Sequence, residues 1–418
     1  MPISLSPLRA YLVADAQDHP LPTPQPLNLA TDVIPYGATV RFEIDVTSDE
    51  PVLPLDVEVS TANGGGAVEM YPVGSSNTFA AEVRMPWGIL AYAAIEGPAT
   101  SPRFPLEAPA PGAEFTLLVQ EHGESKDMTT PPVIDGWPRL PGGDYLFRTT
   151  PWSVAAAANG QAPATFETSF RVGDPPSPGG APPRITRLES GLADSSVLVG
   201  QPWLLTAAAA DADNDVLGVI FSALRGTRAV LALMKDDGSC GDQRARDGVY
   251  SFLRIGGDSW EGGQWTGSRD VPVTLSAQAV DLRGNWSEPA LLNYRLHYSE
   301  FPLWAADPAP DGPNIVEVGI GRQEGLPDFP RGWARCDDPN AWVCACLRSN
   351  PDEVGVLLDD GKGADAAAAD GIHSAFTWFS PGFLFARQKQ LDVVFYAMLK
   401  AGPPKIGRRM AVNIPPAL

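Results

Sequence analysis

Apolar and polar residues alternate along many short stretches of the chain, which is the pattern of a strand that buries one face. The clearest stretches are 40–46 (VRFEIDV), 55–59 (LDVEV) and 271–277 (VPVTLSA), and 165–172 (TFETSFRV) alternates with one slip. Such stretches recur roughly every 8–12 residues with Gly, Pro, Asn or Asp between them, a spacing typical of antiparallel sandwiches. The pattern therefore predicts an all-β chain built of tandem β-sandwich domains.

Composition supports this prediction and divides the chain into pieces. The 418 residues include 43 Pro and 41 Gly, which disfavours a helical bundle, and the 44% of hydrophobic residues excludes a mostly disordered chain. Pro-rich stretches occur at 107–113, 174–183 and 305–313, and such stretches act as extended, semi-rigid spacers. The predicted units are a sandwich at 1–106, a second β region at 107–173 that merges with the first or stands alone, a linker at 174–183, and repeats at 184–303 and 304–418.

The charge balance limits the classes of partner. The formal net charge is −20, so nucleic acids and anionic membranes are disfavoured as general partners. The chain contains no stretch of 18 apolar residues that would predict membrane insertion, and residues 1–20 lack the pattern of a secretory signal.

An internal repeat is the strongest motif. Residues 236–251 (DDGSCGDQRARDGVYS) and 359–374 (DDGKGADAAAADGIHS) share their Asp, Gly and Ser positions at an offset of 123. Asp-Gly pairs supply positive-φ positions in tight turns, so the loops are interpreted first as turns. The alternative is calcium binding through clustered carboxylates, although the EF-hand spacing is absent. The candidate ligands are Asp236, Asp237, Asp242 and Asp247 in the first copy and Asp359, Asp360, Asp365 and Asp370 in the second.

This repeated loop resembles a segment of bacterial extracellular immunoglobulin-like and fibronectin-III-like domains. It is also similar to the β-sandwich region of calcium-activated chloride channel regulators. In the first repeat, residues 279–287 (AVDLRGNWS) are similar to the strand ending of those domains, whereas the second repeat has KAGPP at 400–404. The resemblance covers about 184–418. It implies tandem immunoglobulin-like or fibronectin-III-like sandwiches that serve as spacers, adhesins or accessory modules.

A second acidic loop follows a predicted strand. Asp211, Asp213 and Asp215 alternate in the segment DADND, which is similar to a turn of bacterial cadherin-like repeats, some of which bind calcium. A solvated turn is the competing interpretation. The sequence leaves open whether this loop lies at the same end of its sandwich as the Asp236–Asp247 loop.

Cys336, Cys344 and Cys346 form a cluster in the second repeat. On a strand, Cys344 and Cys346 share one face because their spacing is i, i+2. Buried free thiols are the first interpretation, and a disulfide within the cluster or a metal site are alternatives, although zinc and haem spacings are absent.

Catalysis is not expected, because the four His residues are scattered and the motifs of hydrolases and nucleotide enzymes are absent. Trp260 and Trp265 flank a Gly-rich segment, where exposed rings would stack on sugars, although most Trp residues fill cores or pin loops.

The two ends of the chain differ in charge, with nine acidic and two basic residues in 1–60. Basic residues dominate 387–409 and include Arg387, Lys389, Lys405, Arg408 and Arg409.

The basic segment has two interpretations: protection of exposed strand edges, or head-to-tail contact with the acidic start of another copy. Taken together, the sequence predicts a non-enzymatic, extracellular or surface-located structural protein, such as a fibre, surface-layer, stalk or adhesin subunit, stiffened by calcium and self-associating. The alternatives are a carbohydrate-binding accessory region of a secreted hydrolase, with glycans as partners, or a virion or appendage component.

Overall fold

A computed structural model provides the structure of the chain. It describes residues 3–49, 52, 55–61, 64–73, 76–87, 92–93, 115–118, 142–153, 164–192, 196–198, 201–225, 228–239, 241–255, 269–298, 303–320, 331–348, 350–361, 365, 367–376, 391–400 and 405–414.

The described residues form almost entirely β-structure, as the alternation predicted. In the first 173 residues the strands are β1 (Ser4–Leu5), β2 (Arg9–Ala14), β3 (Pro20–Leu27), β4 (Val33–Ile34), β5 (Thr39–Thr47), β6 (Leu55–Thr61), β7 (Gly64–Pro72), β8 (Thr78–Arg84), β9 (Tyr92–Ala93), β10 (Phe115–Leu118), β11 (Gly143–Thr149) and β12 (Phe166–Val172). Next come β13 (Arg184–Ser190), β14 (Ser196–Leu198), β15 (Pro202–Ala210), β16 (Val216–Arg225), β17 (Arg228–Met234), β18 (Val249–Ile255), β19 (Arg269–Asp281) and β20 (Ala290–Tyr298). A 3₁₀ turn (Leu303–Ala305) precedes β21 (Ile315–Ile320), β22 (Arg331–Cys336), β23 (Ala341–Leu347), β24 (Asn350–Leu357), β25 (Ile372–Phe376), β26 (Leu391–Leu399) and β27 (Met410–Ile414).

The first unit, called sandwich 1, contains β1–β9, β11 and β12. β11 pairs with β6, so strands from the 107–173 region complete a sheet begun in the 1–106 region. β7 pairs with β6 and, at its end, with β8, which joins the two layers along one side. Phe42 of one layer meets Phe147 and Phe170 of the other at ring-centroid distances of 6.0 and 5.4 Å. β10, from the same region of sequence, pairs instead with β17.

The two repeats fold into sandwiches with the same strand order. Sandwich 2 places β13-β15-β18 against a sheet that contains β17-β16-β19-β20, and sandwich 3 places β21-β22-β25 against β24-β23-β26-β27. Sandwich 2 adds β10 and β14 at the edges of its larger sheet. Seven strands in a three-plus-four arrangement are typical of immunoglobulin-like and fibronectin-III-like domains. The repeated Asp loop joins the fourth and fifth strands of each arrangement.

Sandwich 1 and sandwich 2 share a continuous apolar interface. The buried indole of Trp87 lies directly over Gly218, so a Cβ on that glycine would overlap Nε1 and Cε2 and lie 2.7 Å from Cζ2. Leu282 likewise lies against Gly37, which leaves no room for a side chain there. Further residues of sandwich 2 belong to the same buried cluster as the core of sandwich 1: Leu217, Ile220 and Val280.

Sandwich 2 and sandwich 3 are also joined by buried apolar residues. Trp342 and Tyr396 lie on the outer face of the larger sheet of sandwich 3, where they are buried. They belong to one cluster with Leu303 of the 3₁₀ turn, and Leu204 and Leu253 of sandwich 2 pack against that cluster. The Pro-rich segments therefore do not separate the sandwiches in space, because both junctions bury apolar side chains.

The edge strand β3 carries proline at every second position, with the sequence PLPTPQPL. Proline has no N–H to donate, so this edge offers few donors to an added strand. The sequence of β3 therefore disfavours association through strand addition at this edge.

Candidate functional site: three acidic loops

The first Asp loop is closed by its own backbone. Lys235 and Ser251 exchange two backbone hydrogen bonds of 2.8 and 2.7 Å, which bring the two ends of the loop together. The carboxylate of Asp236 accepts the N–H groups of Asp247 and Gly248, each at 3.0 Å. Asp242 accepts from Gly238 at 2.6 Å. The Asp side chains thus act as internal caps, as turn chemistry predicts.

The second loop repeats these contacts. Asp359 accepts the N–H groups of Asp370 and Gly371 at 3.1 and 2.9 Å, and Asp365 accepts from Gly361 at 2.6 Å. The positive φ angles also repeat: 78° and 80° at Gly248 and Gly371, and 62° and 59° at Arg246 and Ala369. The shared Asp and Gly positions therefore encode one loop conformation, which the sequence uses twice.

Burial sets the electrostatics of these loops. It raises the pKa of Asp236 to about 7, although the N–H groups of Gly248 and Asp247 oppose the shift. Burial likewise raises the pKa of Asp365 to about 6 and raises that of Asp242. Each loop brings three carboxylates together, with oxygens within 4.8 Å of one another; Asp237 and Asp360 lie outside these described groups.

The Asp211–Asp215 loop differs in how its carboxylates are satisfied. One oxygen of Asp211 accepts the N–H of Asp213 at 2.6 Å. The second oxygen of Asp211 and Oδ1 of Asp215 are buried and have no hydrogen-bond partner among the described residues. Oxygens of all three Asp residues lie within 4.8 Å of one another. This loop therefore presents two buried oxygens as free ligands, whereas Asp236 and Asp359 of the repeated loops use both of their carboxylate oxygens on backbone N–H groups.

Like charges surround Asp215. The residue is only 5% exposed, and Asp281, beside it, is fully buried. Burial raises the pKa of Asp215, and the charges of Asp281 and Asp211 raise it further, while Arg283 opposes the shift. The Nε atom of Arg283 lies 3.3 Å from Oδ2 of Asp215.

The acidic loops of sandwich 2 lie at one end, facing sandwich 1. The N–H of Ala209, just before the Asp211 loop, donates to the carbonyl of Gly248 at 3.0 Å. The N–H of Leu282 donates to the carbonyl of Asp215 at 2.9 Å. Nε of Arg246 in the repeated loop lies 3.3 Å from Oδ1 of Asp18 in sandwich 1. The structure thus answers the question that the sequence left open.

The cysteine cluster is divided by a sheet. Cys344 and Cys346 share the outer face of β23, whereas Cys336 belongs to the core between the two sheets of sandwich 3. All three are free thiols, so the disulfide considered from the sequence is not formed. A bond from Cys336 to either of the others would have to cross the sheet. Burial raises the pKa of Cys346 to about 12 and that of Cys344 higher.

Of the three predicted assembly cations that the structure describes, Lys405 and Arg409 make side-chain contacts within the chain. Lys405 forms an ion pair with Asp311, and Arg409 donates to the carbonyl oxygens of Trp304 and Ala306 at 2.6 and 2.8 Å. Arg408 is exposed. These contacts hold the 303–313 segment against sandwich 3. Arg387, Lys389, Trp260 and Trp265 lie outside the described residues.

Several residues of this site were not singled out as site residues in the sequence. Asp281, Arg283 and Asn285 complete the surroundings of the Asp211 loop, although they fall within the AVDLRGNWS segment that carried the resemblance. The D-x-x-G-N spacing was the available signal. Nothing in the local sequence indicated that Asp18 and Trp87 would meet sandwich 2.

The chain is similar to several solved protein structures, each at low sequence identity. No protein-family model and no curated protein matches the chain. Fibronectin(III)-like modules of Clostridium thermocellum CbhA are 12% identical with a TM-score of 0.17, over 64% of this chain and 91% of that chain. The BSP domain of a biofilm-associated protein is 7% identical (TM-score 0.18), over 90% of this chain and 63% of its own. The Escherichia coli adhesin FdeC is 12% identical (TM-score 0.15), over 97% and 96%.

The assignment of the fold rests on the strand order described above, because these similarities are low.

Within the described part of the chain, the helices are too short or too polar to cross a bilayer.

Proposed function

We propose that this chain is a non-enzymatic structural or adhesive component of an extracellular cell or particle surface. The observation that carries the proposal is the burial of apolar side chains at both junctions between sandwiches. Such junctions hold three sandwiches as one stiff body, which is what a stalk or spacer requires to keep its far end at a fixed distance.

The first junction supports this proposal in detail. Trp87 is 7% exposed and Leu282 is 2% exposed, and both occupy positions between sandwiches 1 and 2. Burying such side chains contributes about 1.5–3 kcal/mol each. The ion pair between Arg246 and Asp18 adds a polar contact at the edge of the same interface. Relative motion of the two sandwiches would expose these groups to water, so the interface favours one arrangement.

Self-association head to tail is a further part of the proposal. The start of the chain is acidic, and Arg408 is exposed near its end. The side chains of Lys405 and Arg409 contact the 303–313 segment, so Arg408 is the most open of these three cations to a second copy. Association through such exposed charges should weaken as salt is added. Sedimentation velocity at low and high salt tests this contact, and a sedimentation coefficient independent of salt and concentration would exclude it.

The carbohydrate-binding alternative depends on Trp260 and Trp265, which lie outside the described residues. It is tested by glycan-array binding of the full chain and of the Trp260→Ala and Trp265→Ala variants.

Stiffness is tested by small-angle X-ray scattering of the full chain. We expect a single shape for the native protein and a broader distribution for Leu282→Asp, which places a charge in the first junction. Leu291→Asp is the matched control, because Leu291 is 58% exposed. Equal scattering from all three proteins would contradict the proposed rigid junction.

Surface location is tested separately by antibody labelling of intact and permeabilised source cells or particles. Labelling of intact cells or particles supports the proposal. Labelling only after permeabilisation would overturn it.

A further inference from the structure

The three acidic loops are unequal in the oxygen ligands that they leave free. In the two repeated loops, both oxygens of Asp236 and of Asp359 accept backbone N–H groups. A cation there would compete with donors already in place. In the Asp211–Asp215 loop, by contrast, two carboxylate oxygens are buried without a hydrogen-bond partner in the part of the chain that the structure describes. Leaving a buried charged acceptor unsatisfied is strongly unfavourable.

The surroundings of these oxygens require positive charge. Four carboxylates lie together here, those of Asp211, Asp213, Asp215 and the fully buried Asp281. Arg283 adds one positive charge, and its guanidinium lies beside Oδ2 of Asp215. Both oxygens of Asp281 accept from Asn285, at 2.8 and 2.6 Å. Asp281 therefore adds negative potential without needing a further ligand. The free oxygens belong to Asp211 and Asp215, with Asp213 beside them.

The spacing of the oxygens selects the type of cation. They lie within 4.8 Å of one another, which is about twice the 2.3–2.6 Å bond from calcium to oxygen. Carboxylate oxygens are hard ligands, and calcium tolerates irregular geometry, whereas magnesium demands a tighter octahedron.

We infer that, among the three acidic loops of the described residues, the loop Asp211–Asp215 binds calcium and the two repeated Asp loops are turns that bind no cation. Asp211, Asp213 and Asp215 supply the side-chain ligands. This assignment goes beyond the surface role proposed above and does not depend on it.

Calcium binding at this loop would affect the linker 174–183, which passes beside it. Gly180 passes so close to the loop that a Cβ there would lie 2.6 Å from Oδ2 of Asp213. Asn285, next to the loop, donates from its side chain to the carbonyl of Gly179 at 2.8 Å. Calcium that fixes Asp213 would therefore hold the linker against sandwich 2, and the linker should become resistant to protease when calcium is added.

The experiment is calorimetric titration of the full chain, stripped of metal, with calcium chloride. We expect the native protein to bind calcium, with an affinity reduced roughly tenfold or more in Asp213→Asn and unchanged in the matched control Asp247→Asn. Asp213 is exposed, so its variant should fold; circular dichroism and proteolysis of the 174–183 linker, with and without calcium, are recorded in parallel.

Binding by the native chain that Asp213→Asn weakens and Asp247→Asn retains supports the assignment. An absence of calcium binding up to millimolar concentration, or equal loss in both variants, would overturn it. Protease resistance of the linker that is independent of calcium would overturn its structural role. None of these results bears on surface labelling, so failure of the cation site and failure of the proposed function are distinguishable.

Discussion

The junction between sandwiches 1 and 2 allows a test by a single methyl group. Gly218→Ala would place a Cβ within the indole of Trp87, which is 7% exposed and cannot swing away without leaving the interface. Overpacking of this kind costs about 1–3 kcal/mol, and removing a glycine from a strand returns about 0.5–1 kcal/mol. The expected net loss, taken at the middle of both ranges, is therefore about 1 kcal/mol and at most about 2.5 kcal/mol.

Calorimetric unfolding measures this loss. For a cooperative unit of the size of sandwiches 1 and 2, such a loss lowers the midpoint by roughly 2–6 °C. Gly191→Ala is the matched control, because a Cβ there would meet the backbone of Leu204 only at 3.6 Å or more, which is an ordinary contact. The control should unfold within about 1 °C of the native protein.

A double-mutant cycle isolates the contact. In a Trp87→Ala background the space over Gly218 is open, so Gly218→Ala should there be neutral or slightly stabilising. The predicted coupling energy between the two positions is about 1–3 kcal/mol. A loss caused by Gly218→Ala that is the same with and without Trp87, or equal to that of Gly191→Ala, would refute the proposed packing of the junction.

Three further predictions concern charge and thiols. Burial raises the pKa of Asp236 to about 7, so the folded chain holds this proton more tightly than the unfolded chain, and the contribution of Asp236 to stability falls as pH rises from about 4 to about 7. In the presence of chelator, the urea midpoint of Asp236→Asn should therefore decline less steeply over this pH range than that of the native protein. An equal decline in both proteins would count against the raised pKa. Arg246→Gln should lower stability by up to about 1 kcal/mol and reduce its salt dependence, whereas Arg244→Gln, exposed in the same loop, should do neither. Cys344 and Cys346 are fully buried, so a maleimide reagent should label them only after denaturation, and rapid labelling of the native protein would contradict their placement.

The fold follows closely from local patterns. The alternation at 40–46 lies within β5, whose apolar residues Val40, Phe42, Ile44 and Val46 are all buried. A one-residue slip would turn that set towards solvent, so the pattern determines the face as well as the strand. The positive-φ glycines of the repeated loops are equally local, since the Asp and Gly positions alone encode the turn.

The site depends on contacts that no local pattern encodes. Asp211, Asp213 and Asp215 were visible as an alternating acidic segment, but their difference from the Asp236 loop depends on which oxygens receive N–H donors. In the first repeated loop these donors are the N–H groups of Asp247 and Gly248, which the closure of the loop between β17 and β18 brings to Asp236. Sequence spacing gives the number of carboxylates, whereas three-dimensional geometry decides which oxygens remain unsatisfied.

The sequence by itself determined the strands, the turns and the duplication, because these arise from the period of apolar residues and from backbone preferences of neighbouring residues. Only the tertiary structure decided that the sandwiches are packed against one another, since Trp87 and Gly218 are 131 positions apart and neither carries a local sign of its partner. It also placed Cys336 on the opposite side of a sheet from Cys344, a separation that closeness along the chain concealed. Burial and pairing of this kind depend on the path of the whole chain, and a pattern a few residues long contains no information about that path.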